Sequence, residues 1–92
     1  MQLADPDLRR ARRAFLKQRY RSRERGVTFA FSFESWIAWW LVDDRWSRRG
    51  RGGDRLCMCR CGDCGPYSES NVYVSTFREN ARSAWPQLRL PV

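Results

Sequence analysis

The sequence predicts an α+β fold, and three observations carry that expectation. Residues 5–25 keep a helical period, and a tryptophan-rich run after Ser32 does the same. Two stretches in the second half then alternate side chains as strands do, before a further helix-capping signal. In chain order this gives an N-terminal basic helix, a short strand and a Trp-rich helix, then a β-hairpin followed by a helix. The 92 residues suffice for one domain with one modest core. Its expected divisions are 1–26 (basic helix), 27–46 (strand and aromatic helix), 47–55 (Gly/Arg loop), 56–85 (strand–loop–strand–helix unit) and 86–92 (tail). A hydrophobic fraction of 42% with 14% aromatics is enough to fold, which argues against wholesale disorder.

The first helix starts at Asp5-Pro6, with proline early in the first turn and Asp7 beside it, and Gly26 stops it. Leu8, Ala11, Phe15 and Tyr20 recur at near-helical spacing. Arg9, Arg10, Arg12, Arg13, Lys17, Arg19, Arg21 and Arg23 cover the rest of the circumference. Such a helix is either a solvated surface element or a face that tracks phosphates; its apolar stripe is too narrow for a membrane surface. Residues 27–31 alternate as a short strand. Ser32 then caps a helix from 33 to about 43, in which Trp36, Trp39 and Trp40 stand at i, i+3 and i+4. That spacing belongs to a core sooner than to a base-stacking platform.

Residues 47–55 combine three glycines with four arginines and read as a loop, either a flexible nucleic-acid-binding segment or a mobile linker. Residues 56–61 read as a strand, 62–66 as a turn and 72–75 as a second strand. Thr76 caps a helix over 77–84, with Glu79 placed as in a capping box. The apolar tail after Pro86 is expected to pack back on the core.

The four cysteines, Cys57, Cys59, Cys61 and Cys64, fall in one cluster. Four thiolates can satisfy tetrahedral zinc, but alternate strand positions lie roughly 7 Å apart, whereas zinc needs sulfurs within roughly 4 Å of each other. Small thiols on a strand are therefore the expectation, with zinc and redox chemistry as the alternatives and no other cofactor implied. No secretory signal is read in the first residues, the run 36–42 is too short to span a bilayer, and a reduced, cytoplasmic protein is expected.

The net charge is +8, and of the 18 basic side chains only Lys17 is a lysine. Arginine forks bind phosphate and carboxylate in a bidentate way and stack on bases, so the expected partner is a polyanion. A GC-rich genome would also enrich arginine.

Residues 58–67 (Met-Cys-Arg-Cys-Gly-Asp-Cys-Gly-Pro-Tyr), then Asn71-Val72 and Thr76-x-x-Glu79-Asn80, resemble the core of phage-type HNH endonucleases. In that family these motifs lie on a strand–loop–strand–helix unit known as ββα-metal. Upstream, Arg25-Gly26-x-x-Phe29 and Ser32-Phe33-Glu34-x-Trp36 resemble segments preceding it, and the likeness extends over about residues 19–82. It implies that Asn71 pins the loop, that Asn80 stands at the late ligand position on the helix, and that Cys59, with Arg60 beside it, takes the place of the first acidic or histidine residue. The chain has no histidine to act as general base, and magnesium prefers oxygen to a thiolate. The resemblance therefore implies a scaffold without hydrolysis, and no catalytic residue is assigned.

The function expected is that of a small phage or prophage protein that binds nucleic acid, DNA before RNA. Arg9, Arg12, Arg13, Arg19, Arg48, Arg49 and Arg51 would contact phosphates. Two other functions remain open: an anti-defence inhibitor that binds a host protein or nucleoprotein complex, and an active metal-dependent HNH-type nuclease.

Overall fold

Helix α1 (Asp5–Glu24) begins where proline and acid stand together, and Asp5 and Asp7 face the positive end of the helix dipole. It ends in a Schellman motif. Gly26 adopts φ 71, its N–H reaches Arg23 O at 3.0 Å, and Val27 N–H reaches Ser22 O at 2.8 Å. Ala11, Phe15 and Ser22 form the buried stripe, while Leu8 and Tyr20, expected to share it, are exposed. At about 100° per residue, Tyr20 stands some 140° away from Phe15. The computed structural model describes residues 3–80.

The segment 27–31 does not form the expected strand. It makes a single parallel bridge, Phe29 opposite Tyr67, with Tyr67 N–H bonded to Thr28 O at 2.9 Å and Ala30 N–H to Tyr67 O at 2.8 Å. Pairing stops there because Gly65, the next position on that edge, takes φ 78 and residues 68–70 turn away. Ser32 then caps α2 (Phe33–Trp40) through a reciprocal capping box with Ser35. This helix ends three residues before the expected 43, since Asp43 takes φ 53, which a right-handed helix does not accommodate. A single extra turn, α3 (Arg45–Arg48), takes up the first residues of what was expected to be loop.

Strands β1 (Leu56–Arg60) and β2 (Val72–Thr76) pair antiparallel, with Met58 opposite Val74 and Cys59 opposite Tyr73. Cys61 leaves β1 and opens a 3₁₀ turn, Cys61–Asp63. Residues 77–80 are helical. Thr76 Oγ1 accepts from Glu79 N–H and donates to its carboxylate, both at 3.0 Å, as the capping signal implied. The remainder of that expected helix and the tail lie outside the described residues. The order observed is thus helical segments followed by a two-stranded sheet, an α+β arrangement. No helix among the described residues is long and apolar enough to cross a membrane.

The core joins all these elements. Ala11 and Phe15 of α1 meet Phe31, Trp36, Trp40, Leu56 and Met58. The Phe15 ring lies edge-on to Phe29, Phe33 and Trp36 at centroid distances of 5.5, 5.6 and 5.7 Å. Trp36 is fully buried, and its indole N–H is satisfied by Gln18 Oε1 at 2.9 Å. Trp39 is only half-buried and stands edge-on to Trp40 at 4.9 Å, with the Arg45 guanidinium over its ring at 4.6 Å. Trp36→Ala or Trp40→Ala should therefore cost about 3–5 kcal/mol, and Trp39→Ala distinctly less, as urea unfolding of the three variants will measure.

Candidate nucleic-acid interface

A groove of about 470 Å³ runs between the second half of α1 and the start of β1. Its apolar lining comes from Trp40, Leu56, Met58 and the exposed Phe77, and cationic side chains line it as well. Lys17 and Arg21 stand one turn apart on α1 and Arg25 is its C-cap residue, at i, i+4 and i+8 in sequence, so they form one stripe that continues to the end of the helix, each about 6 Å beyond the last. Arg51, from the loop after α3, also lines the groove, and Glu24 is the one acid among its lining residues. The ion pairs among the described residues lie elsewhere: Arg10–Asp7, Arg48–Asp44, Arg60–Asp63 and Arg78–Asp54. Arg25 donates to Tyr67 Oη at 3.1 Å and has no carboxylate paired to it among the described residues.

Sequence reasoning placed the arginines differently. Arg9, Arg12, Arg13 and Arg19 are exposed on α1, but helical phase carries Arg12 and Arg19 to the flank away from this groove. Arg12 covers the Phe33 ring at 4.5 Å. Arg19 lines a second, shallower depression with Arg23 and residues 26–29. Arg48 pairs with Asp44 at 3.8 Å. Of the seven arginines, Arg49 and Arg51 reach the groove, while Lys17, Arg21 and Arg25 were missed. The signal for those three was present as a four-residue period one flank over from the stripe that carries Phe15.

Arg49 is not a free phosphate contact. Its guanidinium sits over three indoles, with centroids at 5.7 Å for Trp36, 5.2 Å for Trp40 and 5.9 Å for Trp46. Burial lowers its pKa from the ordinary arginine value. Its buried Nε has no hydrogen-bond partner among the described residues, so the ring faces supply most of its compensation. This cation holds the loop to the core.

The loop between the strands is built by polar side chains. Asn71 Nδ2 donates to both Cys64 O and Pro66 O at 2.8 Å and so ties the turn together. Gly65 has φ 78, and a Cβ there would stand 2.8 Å from Asn71 Nδ2, so a larger residue is strained and displaces the Asn71 amide. Arg60 donates to Gly65 O at 2.7 Å, pairs with Asp63 at 3.3 Å and lies 5.4 Å from the Tyr67 ring centroid. Asn80 lies in the helical residues 77–80.

Cys59 is buried, Cys57 half-buried, and Cys61 and Cys64 are exposed. The wide spacing expected of strand cysteines describes their backbone but not their sulfurs: the side chains lean together, and Cys57 Sγ lies 3.6 Å from Cys59 Sγ. Cys61 leaves their face with the 3₁₀ turn. Among the described residues no group of three or more Cys, Asp or Glu side chains is placed to hold a metal ion. Comparisons with family models, with curated proteins and with solved structures find no match to this chain.

The two loop arginines should separate by role. Arg49→Ala should lower unfolding stability by about 1–3 kcal/mol, because it removes a desolvated cation from three rings. Arg51→Ala should stay within about 0.5 kcal/mol of the wild type in the same urea titration.

Proposed function

We propose that the protein binds the phosphate backbone of nucleic acid, duplex DNA foremost, along the groove between α1 and β1, without cleaving it. The observation that carries this reading is the stripe of Lys17, Arg21 and Arg25, faced by Arg51, with no carboxylate paired to any of them among the described residues. The stripe is about 12 Å long, the axial length of three to four phosphates on one strand. Three of the four cations are guanidinium groups, which take phosphate oxygens two at a time. The exposed arginines Arg9, Arg13 and Arg19 would extend the positive field around α1 and add non-specific attraction. Hydrolysis has no support from the residues: the chain lacks histidine, and the buried thiol of Cys59 is a poor ligand for a hard cation.

Fluorescence anisotropy with a short labelled duplex tests the proposal. Four phosphate contacts predict a log–log salt slope of about −3.6, hence roughly a 150-fold loss of affinity between 50 and 200 mM salt. Each charge removed from Lys17, Arg21, Arg25 or Arg51 should lower that slope by about 1. Absence of binding to DNA and RNA at 50 mM salt would overturn it, and tight binding to an acidic polypeptide instead would point to a protein partner. Plasmid incubated with magnesium or manganese should remain unnicked.

A further inference from the structure

We propose that Cys57 and Cys59 form a peroxide-sensitive dithiol that closes to an intrachain disulfide. Two sulfurs 3.6 Å apart on one face of β1 are already in contact, and the arrangement is asymmetric. Cys57 is half-buried and belongs to the wall of the open groove, so a small neutral oxidant can reach it. Cys59 is only 5% exposed and sits behind it. Hydrogen bonding from Cys59 lowers the Cys57 pKa against the opposing effect of burial, so Cys57 is the more readily ionised of the two. Cys59 is pushed up, first by that same hydrogen bond and then by burial and the neighbouring negative charges, and keeps its proton. A reachable thiol in contact with a second sulfur is the arrangement in which a sulfenic acid is promptly resolved.

The chemistry balances with hydrogen peroxide as oxidant. The Cys57 thiolate attacks one peroxide oxygen and the O–O bond breaks. Cys57 becomes a sulfenic acid, and the departing hydroxide takes a proton to leave as water. The Cys59 sulfur then attacks the Cys57 sulfur, the S–O bond breaks, and the lost hydroxyl leaves as a second water with the Cys59 proton. Two thiols are oxidised by two electrons and one peroxide is reduced to two waters. Neighbouring same-face residues on a strand have Cα atoms roughly 6.6 Å apart, near the long end of the 4.4–6.8 Å disulfide range, so closure asks β1 to bend only slightly. The Cys61-x-x-Cys64 pair is more exposed but less ready, since the Cys64 thiol makes its contact with Cys61 O, at 3.7 Å, rather than with the other sulfur.

Arg55 and Arg60 flank the pair, so trypsin isolates Cys57 and Cys59 in the peptide 56–60 and leaves Cys61 and Cys64 in the peptide 61–78. The reduced full-length protein is treated with one equivalent of hydrogen peroxide, quenched with iodoacetamide, digested and weighed. Peptide 56–60 should lose the mass of two hydrogens and take up no iodoacetamide, while peptide 61–78 remains doubly alkylated. Dithiothreitol should restore both alkylations. In Cys59→Ala, dimedone should label Cys57 as the trapped sulfenic acid. Two alkylated thiols in peptide 56–60 after peroxide, or a bond within 61–78 or between the two peptides formed first, would overturn the proposal. The wild-type peptide map decides it even if the variant fails to fold.

Discussion

Burial of Trp36 is the constraint on which the rest of the structure depends. An indole of that size, wholly removed from water, contributes much of the apolar burial available to so short a chain, yet it carries an N–H that must be satisfied. Gln18 meets that need from α1 and also directs its amide to Met58 Sδ at 3.5 Å on β1. One side chain therefore fixes the rotation of α1 relative to α2 and brings the hairpin up to both. Phe15, one helical turn before Gln18, supplies the apolar half of the same contact. The groove wall built by Lys17, Arg21 and Arg25 is a consequence of that rotation. Turning α1 by one residue would carry those cations off the groove.

How far the sequence discloses this differs by element. The ends of α1, the caps at Ser32 and Thr76 and both strands of the hairpin are local events, written in residues a few positions apart, and they were legible. Residues 27–31 misled because their alternation is real but their partner is a proline-flanked turn, a long-range fact. The site was harder for the same reason. Exposure of Arg9 or Arg13 follows from helical period alone, whereas the facing of Arg51 toward Lys17 requires the tertiary arrangement. Arg49 shows the limit most sharply: nothing local distinguishes it from Arg48 or Arg51, and only the convergence of Trp36, Trp40 and Trp46 makes it structural.

The two halves of the molecule solve their polar problem in different ways. Around Trp36 the polar groups sit on the edges of a large apolar cluster, where one amide meets the Trp36 N–H, ring faces meet the Arg49 cation, and the buried Trp40 N–H has no hydrogen-bond partner among the described residues. In the loop between the strands there is little apolar mass, and order comes from Asn71 and Arg60 gripping backbone carbonyls. Such a loop depends on geometry rather than on area, which is why a side chain at Gly65 would strain it. The paired thiols of Cys57 and Cys59 lie on β1 between these regimes, next to the core on one side and to the groove on the other.

The Gly/Arg loop, whose composition suggests a loose tether, is fastened at both ends. Arg49 anchors its start among the tryptophans, and Gly50 N–H bonds to Leu56 O at 3.1 Å. Its end is tied by Phe77 N–H to Arg55 O at 2.8 Å, Arg78 N–H to Gly53 O at 3.1 Å and the Arg78–Asp54 pair at 3.0 Å. Most of the loop's conformational entropy is thus surrendered when the chain folds, before any ligand arrives. What a partner must still immobilise at this point is the Arg51 side chain, a penalty of about 0.5–1.5 kcal/mol rather than that of ordering a whole segment. The arginine is presented in advance, on a platform whose rigidity is set by the tryptophans around Arg49.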